Sequence, residues 1–139
     1  GVAAFVLQRL GHLLGETRYL DAAEKTLKAA WDNILRTPYA HNTLLDAVEE
    51  YLYPPQTIIV RTKQEGIQQW LDSSAAIYAP RRFMVAIPDT ARGLPGLLNQ
   101  RSTQGEFVAY VCDGHQCRPA IAEVENFKSL LQSGGDTQP

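Results

Sequence analysis

The apolar residues keep a helical period up to Pro54-Pro55 and first leave it there, and that change limits the fold more than any other feature. Before the two prolines, Val2, Phe5, Val6, Leu10, Leu13 and Leu14 recur at three- and four-residue spacing, the mark of one helix face. Gly15 offers a left-handed C-cap. A second stripe runs through Tyr19, Ala22, Ala23, Thr26, Leu27, Ala30, Trp31, Ile34 and Leu35. Thr17 is its candidate N-cap and Pro38 its stop. The short link between the two stripes predicts antiparallel neighbours. A third helix is expected from near His41 to Leu52, through Leu44, Leu45, Val48 and Tyr51.

After the prolines, Thr57-Ile58-Ile59-Val60 is a β-branched run that reads as a buried strand. Ile67, Trp70, Leu71 and Ala75 return to helical spacing, and Phe83-Met84-Val85-Ala86-Ile87 is strand-like again. Strand, helix and strand over so short a stretch predict a βαβ unit with parallel strands. Residues 88–105 read as loop, with a helical turn near Leu94 to Asn99. Phe107 to Val111 is a third strand, and Val124, Phe127, Leu130 and Leu131 mark a last helix. The expected class is therefore α/β (α+β). Residues 1–53 form a segment of three helices. Residues 54–132 form a small three-stranded, mainly parallel unit with a C-terminal helix, packed on that segment. Residues 133–139, small and polar, are expected to be disordered.

Composition narrows the function classes. The 139 residues carry thirteen basic and fifteen acidic side chains, a net charge of −2, so no overall field favours nucleic acid or an anionic membrane. Residues 61–118 hold seven basic groups against five acidic ones, but no aromatic row is interleaved for base stacking. No apolar run approaches the roughly 20 residues that span a bilayer. No glycine-rich phosphate cradle follows a strand, and Ser73 and Ser74 lack a nucleophile-elbow context. The chain has no initiator methionine and opens inside an amphipathic pattern, so it reads as a segment of a longer polypeptide. No targeting signal assigns a compartment, and the cytoplasm is favoured.

Cys112-Asp113-Gly114-His115-Gln116-Cys117, directly after the third strand, is the most pointed local feature. A turn at Gly114 can bring the two sulfurs together. Three readings follow: a structural bridge or free thiols at a turn, a redox pair whose thiolate His115 or Arg118 favours, and zinc ligation by Cys112, His115 and Cys117. Zinc would need a fourth ligand, and His12 and His41 are distant in sequence, so neither metal nor cofactor is expected. Asp46 and Glu49 share one face of the third helix, with Glu50 beside them. A solvated surface explains these carboxylates more simply than paired acid–base chemistry. His41 reads as a helix-start residue and His12 as a surface or core-edge one. Trp31 and Trp70 fall on apolar helix faces, where core packing is the expectation.

Gly1-Val2-Ala3-Ala4, Leu10, Leu13-Leu14-Gly15, Tyr19, Ala23 and Leu27 carry the first part of a wider resemblance. Pro54-Pro55 before Ile58-Ile59-Val60 and Ala109-Tyr110-Val111-Cys112 with Cys117 and Pro119 complete it. Together they resemble the C-terminal end of the thioredoxin domain-containing family, which includes spermatogenesis-associated members. The resemblance implies a longer protein that begins with a thioredoxin-like domain bearing its own cysteine motif. An α/α toroid of the six-hairpin glycosidase type would follow it. The helices here would be the last pieces of that toroid. Cys112 and Cys117 would be motif positions without an assigned role.

The leading expectation is an accessory, scaffold-completing piece without catalysis of its own. Its partners would be the rest of the parent polypeptide (thioredoxin-like domain and toroid helices), or a second copy through exposed helix faces, with neither nucleic acid nor membrane. The alternatives are a thiol–disulfide partner using Cys112 and Cys117, and a carbohydrate-binding or carbohydrate-processing fragment.

Overall fold

A computed structural model describes residues 1–133 and divides the chain into two compact units, Gly1–Pro54 and the part from Pro55 onward. The expectation of disorder in the tail falls almost wholly on 134–139, outside the described residues. Ser133 itself is the turn that follows the last helix.

The first unit is three helices: α1 (Val2–Leu14), α2 (Thr17–Arg36) and α3 (Asn42–Leu52). Gly15 ends α1 at φ 66°, and its N–H donates to the carbonyl of Gly11. Only Glu16, in extended conformation, then separates α1 from α2. Thr17 is therefore already helical, and the N-cap position falls to Glu16, which makes no side-chain capping bond. Pro38–Ala40 form a 3₁₀ turn that leads into α3.

α1 packs against both α2 and α3. Small residues allow the close approach: Ala4, Ala23 and Ala47 are fully buried. A methyl group on Gly11 would lie 2.5 Å from Cδ2 of Leu20. Polar groups in the seam are paired, as burial demands. Gln8 donates from Nε2 to the carbonyl of Ala47 at 2.8 Å. Arg9 forms an ion pair with the buried Glu50, its guanidinium lying over the Phe5 ring.

The second unit is a four-stranded mixed sheet in the order β2-β1-β3-β4. Its strands are β1 (Gln56–Thr62), β2 (Arg82–Pro88), β3 (Phe107–Asp113) and β4 (Gln116–Cys117). α4 (Ile67–Ala75) joins β1 to β2, which pair in parallel as the βαβ pattern predicts. The expected three-stranded, mainly parallel sheet needs correction in two respects. β3 runs antiparallel to β1, and a short β4 is added beyond it. The reason lies in the connections. β3 is reached by a loop rather than a crossover helix, and β4 returns through a two-residue hairpin, which only antiparallel strands allow.

Alternation divides the sheet into two faces. Ile58 and Val60 of β1 share one face with Met84, Ala86, Phe107, Ala109 and Val111. Trp70 of α4 covers it, together with Phe127 and Leu131 of α5 (Val124–Gln132). The Trp70 ring lies 4.9 Å from Phe107 and 5.2 Å from Phe127, edge-on to the latter. Arg82 fastens α5 to the sheet. It donates from Nη1 to the carbonyl of Leu131 at 2.9 Å and from Nε to Gln56 Oε1 at 2.9 Å. Burial pushes the guanidinium pKa of Arg82 down. The opposite face carries Ile59, Arg61, Val108, Tyr110 and Cys112, all buried.

Candidate functional site

The site is built on the β3–β4 hairpin. Gly114 and His115 form its two-residue turn, and Gly114 adopts φ 63°. Glycine at the first central position with positive φ is what a type II′ hairpin turn requires. The turn sets Cys112 of β3 directly opposite Cys117 of β4, with Cα atoms 3.9 Å apart. The two sulfurs are joined as a disulfide. Arg118 N–H donates to the carbonyl of Val111, so the cysteines occupy a non-hydrogen-bonded pair, where facing side chains come closest. Beyond the bridge the edge bulges. Ala109 pairs with Ile121, so Tyr110 and Val111 face three residues, Arg118, Pro119 and Ala120. Pro119 has no N–H to offer and blunts this edge.

The two cysteines differ in environment. Cys112 is 6% exposed, whereas Cys117 lies open on the edge strand. A third residue, Arg101, completes the site. Its Nη2 lies 3.5 Å from Cys112 Sγ and 3.2 Å from Cys117 Sγ. Its guanidinium is 5.3 Å from the Tyr110 ring centre. The loop between β2 and β3 holds it there. Arg61 of β1 donates to the carbonyl of Arg101 at 2.8 Å, and the Tyr110 hydroxyl donates to the carbonyl of Ser102 at 2.6 Å. Among the described residues no carboxylate pairs with Arg101, and its Nε is buried without an acceptor. A cation beside a sulfur lowers the free energy of its thiolate.

Of the two cations expected from sequence to favour the thiolate, Arg118 is committed to Asp113, Nε to Oδ2 at 3.1 Å, and His115 stands exposed in the hairpin turn. Asp113 also accepts from Gln56 Nε2 at 3.2 Å, so both carboxylate oxygens are engaged. Arg101 was missed because it is distant in sequence and sits in a loop without periodicity. With the sulfurs bonded to each other, neither serves as a thiolate ligand in this state. Among the described residues no group of three or more His, Cys, Asp or Glu side chains could hold a metal ion.

The remaining candidates separate. Asp46 and Glu49 are exposed on α3, whereas Glu50, expected on a solvated surface, is buried against Arg9. His12 and His41 are half-buried in the helical unit, and the cysteines' hairpin belongs to the second unit. Ser73 Oγ donates back to the carbonyl of Gln69 within its helix. Trp70 is core, as expected, but Trp31 is 45% exposed. Trp31 lines a groove of about 330 Å³ with Leu27, Val48, Tyr51 and Leu52, and Glu24 and Lys28 stand at the same groove.

Fold and site together define a mixed α/β unit with a disulfide-bridged edge hairpin under an arginine, preceded by a three-helix unit. No family model, curated protein or solved structure matches the chain. Among the described residues no helix is long and apolar enough to cross a membrane.

Proposed function

We propose that this chain is an accessory, scaffold-completing piece of a larger thioredoxin-like polypeptide, without catalysis of its own. On this reading the three helices are the closing pieces of an α/α toroid. The supporting observation is the outer face of the helical unit. Trp31, Leu35 and Leu52 are 45%, 63% and 61% exposed, beside the apolar groove of Leu27, Val48 and Tyr51. So much open apolar surface on three short helices is characteristic of a docking face. Its occupant is further helices of the same polypeptide. Trp31 fluorescence tests this, measured in this chain and in the longer product of its reading frame. The expected result is a blue shift and loss of quenching in the longer protein. An unchanged Trp31, or sedimentation showing that a second copy of the chain covers this face, overturns the reading.

The contacts of Arg101 favour a second reading, in which the Cys112–Cys117 bridge undergoes thiol–disulfide exchange. Exposed bridges are the labile ones, and a neighbouring cation favours their thiolate products. Reduction of the native protein by dithiothreitol, followed by alkylation and mass measurement, tests it. A bridge that opens without denaturant supports exchange, and one that opens only on unfolding is structural.

A further inference from the structure

Resting on the second reading, we propose a direction for the exchange: an external dithiol attacks Cys117, and Cys112 departs as a thiolate held by Arg101. A nucleophile must approach the attacked sulfur along the S–S axis, from the side away from the leaving sulfur. Cys117, exposed on the edge strand, offers that approach, and Cys112, buried in β3, does not. Attack at Cys117 leaves the negative charge on Cys112, in a low-dielectric setting where an unpartnered thiolate is costly. Arg101 already stands 3.5 Å from that sulfur, and no carboxylate among the described residues competes for it. The Arg61 and Tyr110 bonds that fix its loop mean that little reorganisation is needed when the charge appears.

The steps balance. One thiolate of the dithiol bonds to Cys117 Sγ, the Cys112–Cys117 bond breaks, and its electron pair stays on Cys112. The second sulfur of the dithiol, losing its proton to water, then attacks the first. The dithiol closes to its own disulfide and Cys117 is released as a thiolate that takes up a proton. Two electrons have passed from the dithiol to the cysteine pair. The substrate class is thus a vicinal or closely spaced dithiol, such as a protein Cys-x-x-Cys pair.

The test uses the full chain in its oxidised form, with dithiothreitol as the kinetic probe and glutathione as the trapping probe. Acid-quenched glutathione adducts, located by peptide mass mapping, are expected on Cys117 and not on Cys112. Arg101→Met is expected to slow reduction by dithiothreitol at pH 7 by roughly tenfold, because a less stabilised leaving thiolate departs more slowly. Arg101→Lys should retain most of the rate. In the Cys117→Ser background, Arg101→Met should also move the alkylation profile of Cys112 to higher pH. Adducts on Cys112 overturn the direction, and an unchanged rate in a folded Arg101→Met protein overturns the role of Arg101, each while leaving exchange intact. A wild-type bridge that dithiothreitol opens only in denaturant overturns exchange itself. If Arg101→Met does not fold, the wild-type adduct map and Arg101→Lys decide the matter.

Discussion

Arg61 donates from Nη1 to the main-chain carbonyl of Arg101 at 2.8 Å, and this bond ties a buried strand residue to the loop that carries the cation over the disulfide. The same guanidinium donates from Nη2 to the carbonyls of Pro88 and Ala91, each at 3.2 Å. One β1 side chain therefore holds both ends of the β2–β3 loop. Arg61→Met should leave three carbonyls without this donor and cost on the order of 2–3 kcal/mol in urea unfolding. It should also slow reduction of the bridge, because Arg101 loses its anchor. Arg61 would then be a positioning residue. An unchanged reduction rate in a destabilised protein would assign it to the fold alone.

Arg82 does comparable work at the other end of the sheet. Its bond to the carbonyl of Leu131 supplies a donor to the last turn of α5, where carbonyls lack helical partners and positive charge is favoured. Arg82→Met keeps the apolar stem but removes the donors to Gln56 and Leu131. A loss of about 2–3 kcal/mol is expected, since buried polar partners are left unsatisfied. Amide exchange offers a sharper readout: α5 should lose protection before the central strands do. Equal loss across the sheet would mean that Arg82 stabilises the whole unit rather than this helix end.

The two residues also mark where sequence reading ends. Apolar period located the five α-helices and the three long strands of the described residues, because each buries one face and must repeat with its own geometry. Parallel pairing of β1 with β2 followed from the intervening helix. β4 left no such trace, being two residues long and defined only by its partners in β3. The direction of β3 depended on a loop whose path no periodicity records. Cys112 and Cys117 stood out through residue type and spacing alone. Arg101 did not, since its role comes from the carbonyl bond of Arg61 and the ring of Tyr110. Trp31 misled for a related reason: a residue on an apolar stripe is buried only if something covers that stripe.

The α1–α2 crossing depends on Gly11. A Cβ there would meet Cγ of Leu20 at 2.6 Å and Cδ2 at 2.5 Å, with the Leu20 amide nitrogen at 3.3 Å. The leucine tip can rotate, whereas the backbone nitrogen is fixed. Gly11→Ala gains up to about 1 kcal/mol of helix propensity, yet overpacking of a close seam costs about 1–3 kcal/mol. Net destabilisation is expected, with Leu20 methyl resonances shifted. Combining it with Leu20→Ala should recover part of the loss, because the second change removes the obstructing atoms. A stabilised Gly11→Ala single variant would show that the helices have room to separate.

Acid and base should act on the surface pair of Lys63 and Glu106, whose Nζ and Oε1 lie 2.8 Å apart. The hydrogen bond and charge of Lys63 hold the Glu106 carboxyl below its ordinary range, and Glu106 in turn raises Lys63. For the carboxylate the stabilisation is complete above its unfolded pKa of about 4.3 and is lost as pH falls through the lower folded value. For the lysine it is complete below about 10.4 and is lost as pH rises through the higher folded value. The pair thus contributes a plateau with an acid and an alkaline edge. Lys63→Met should remove both edges and return Glu106 to ordinary titration, observed through its carboxyl carbon by NMR. Because both side chains are exposed, molar salt should shrink the difference between wild type and variant. A Glu106 titration that ignores both the substitution and the salt would mean that the two groups do not meet in solution.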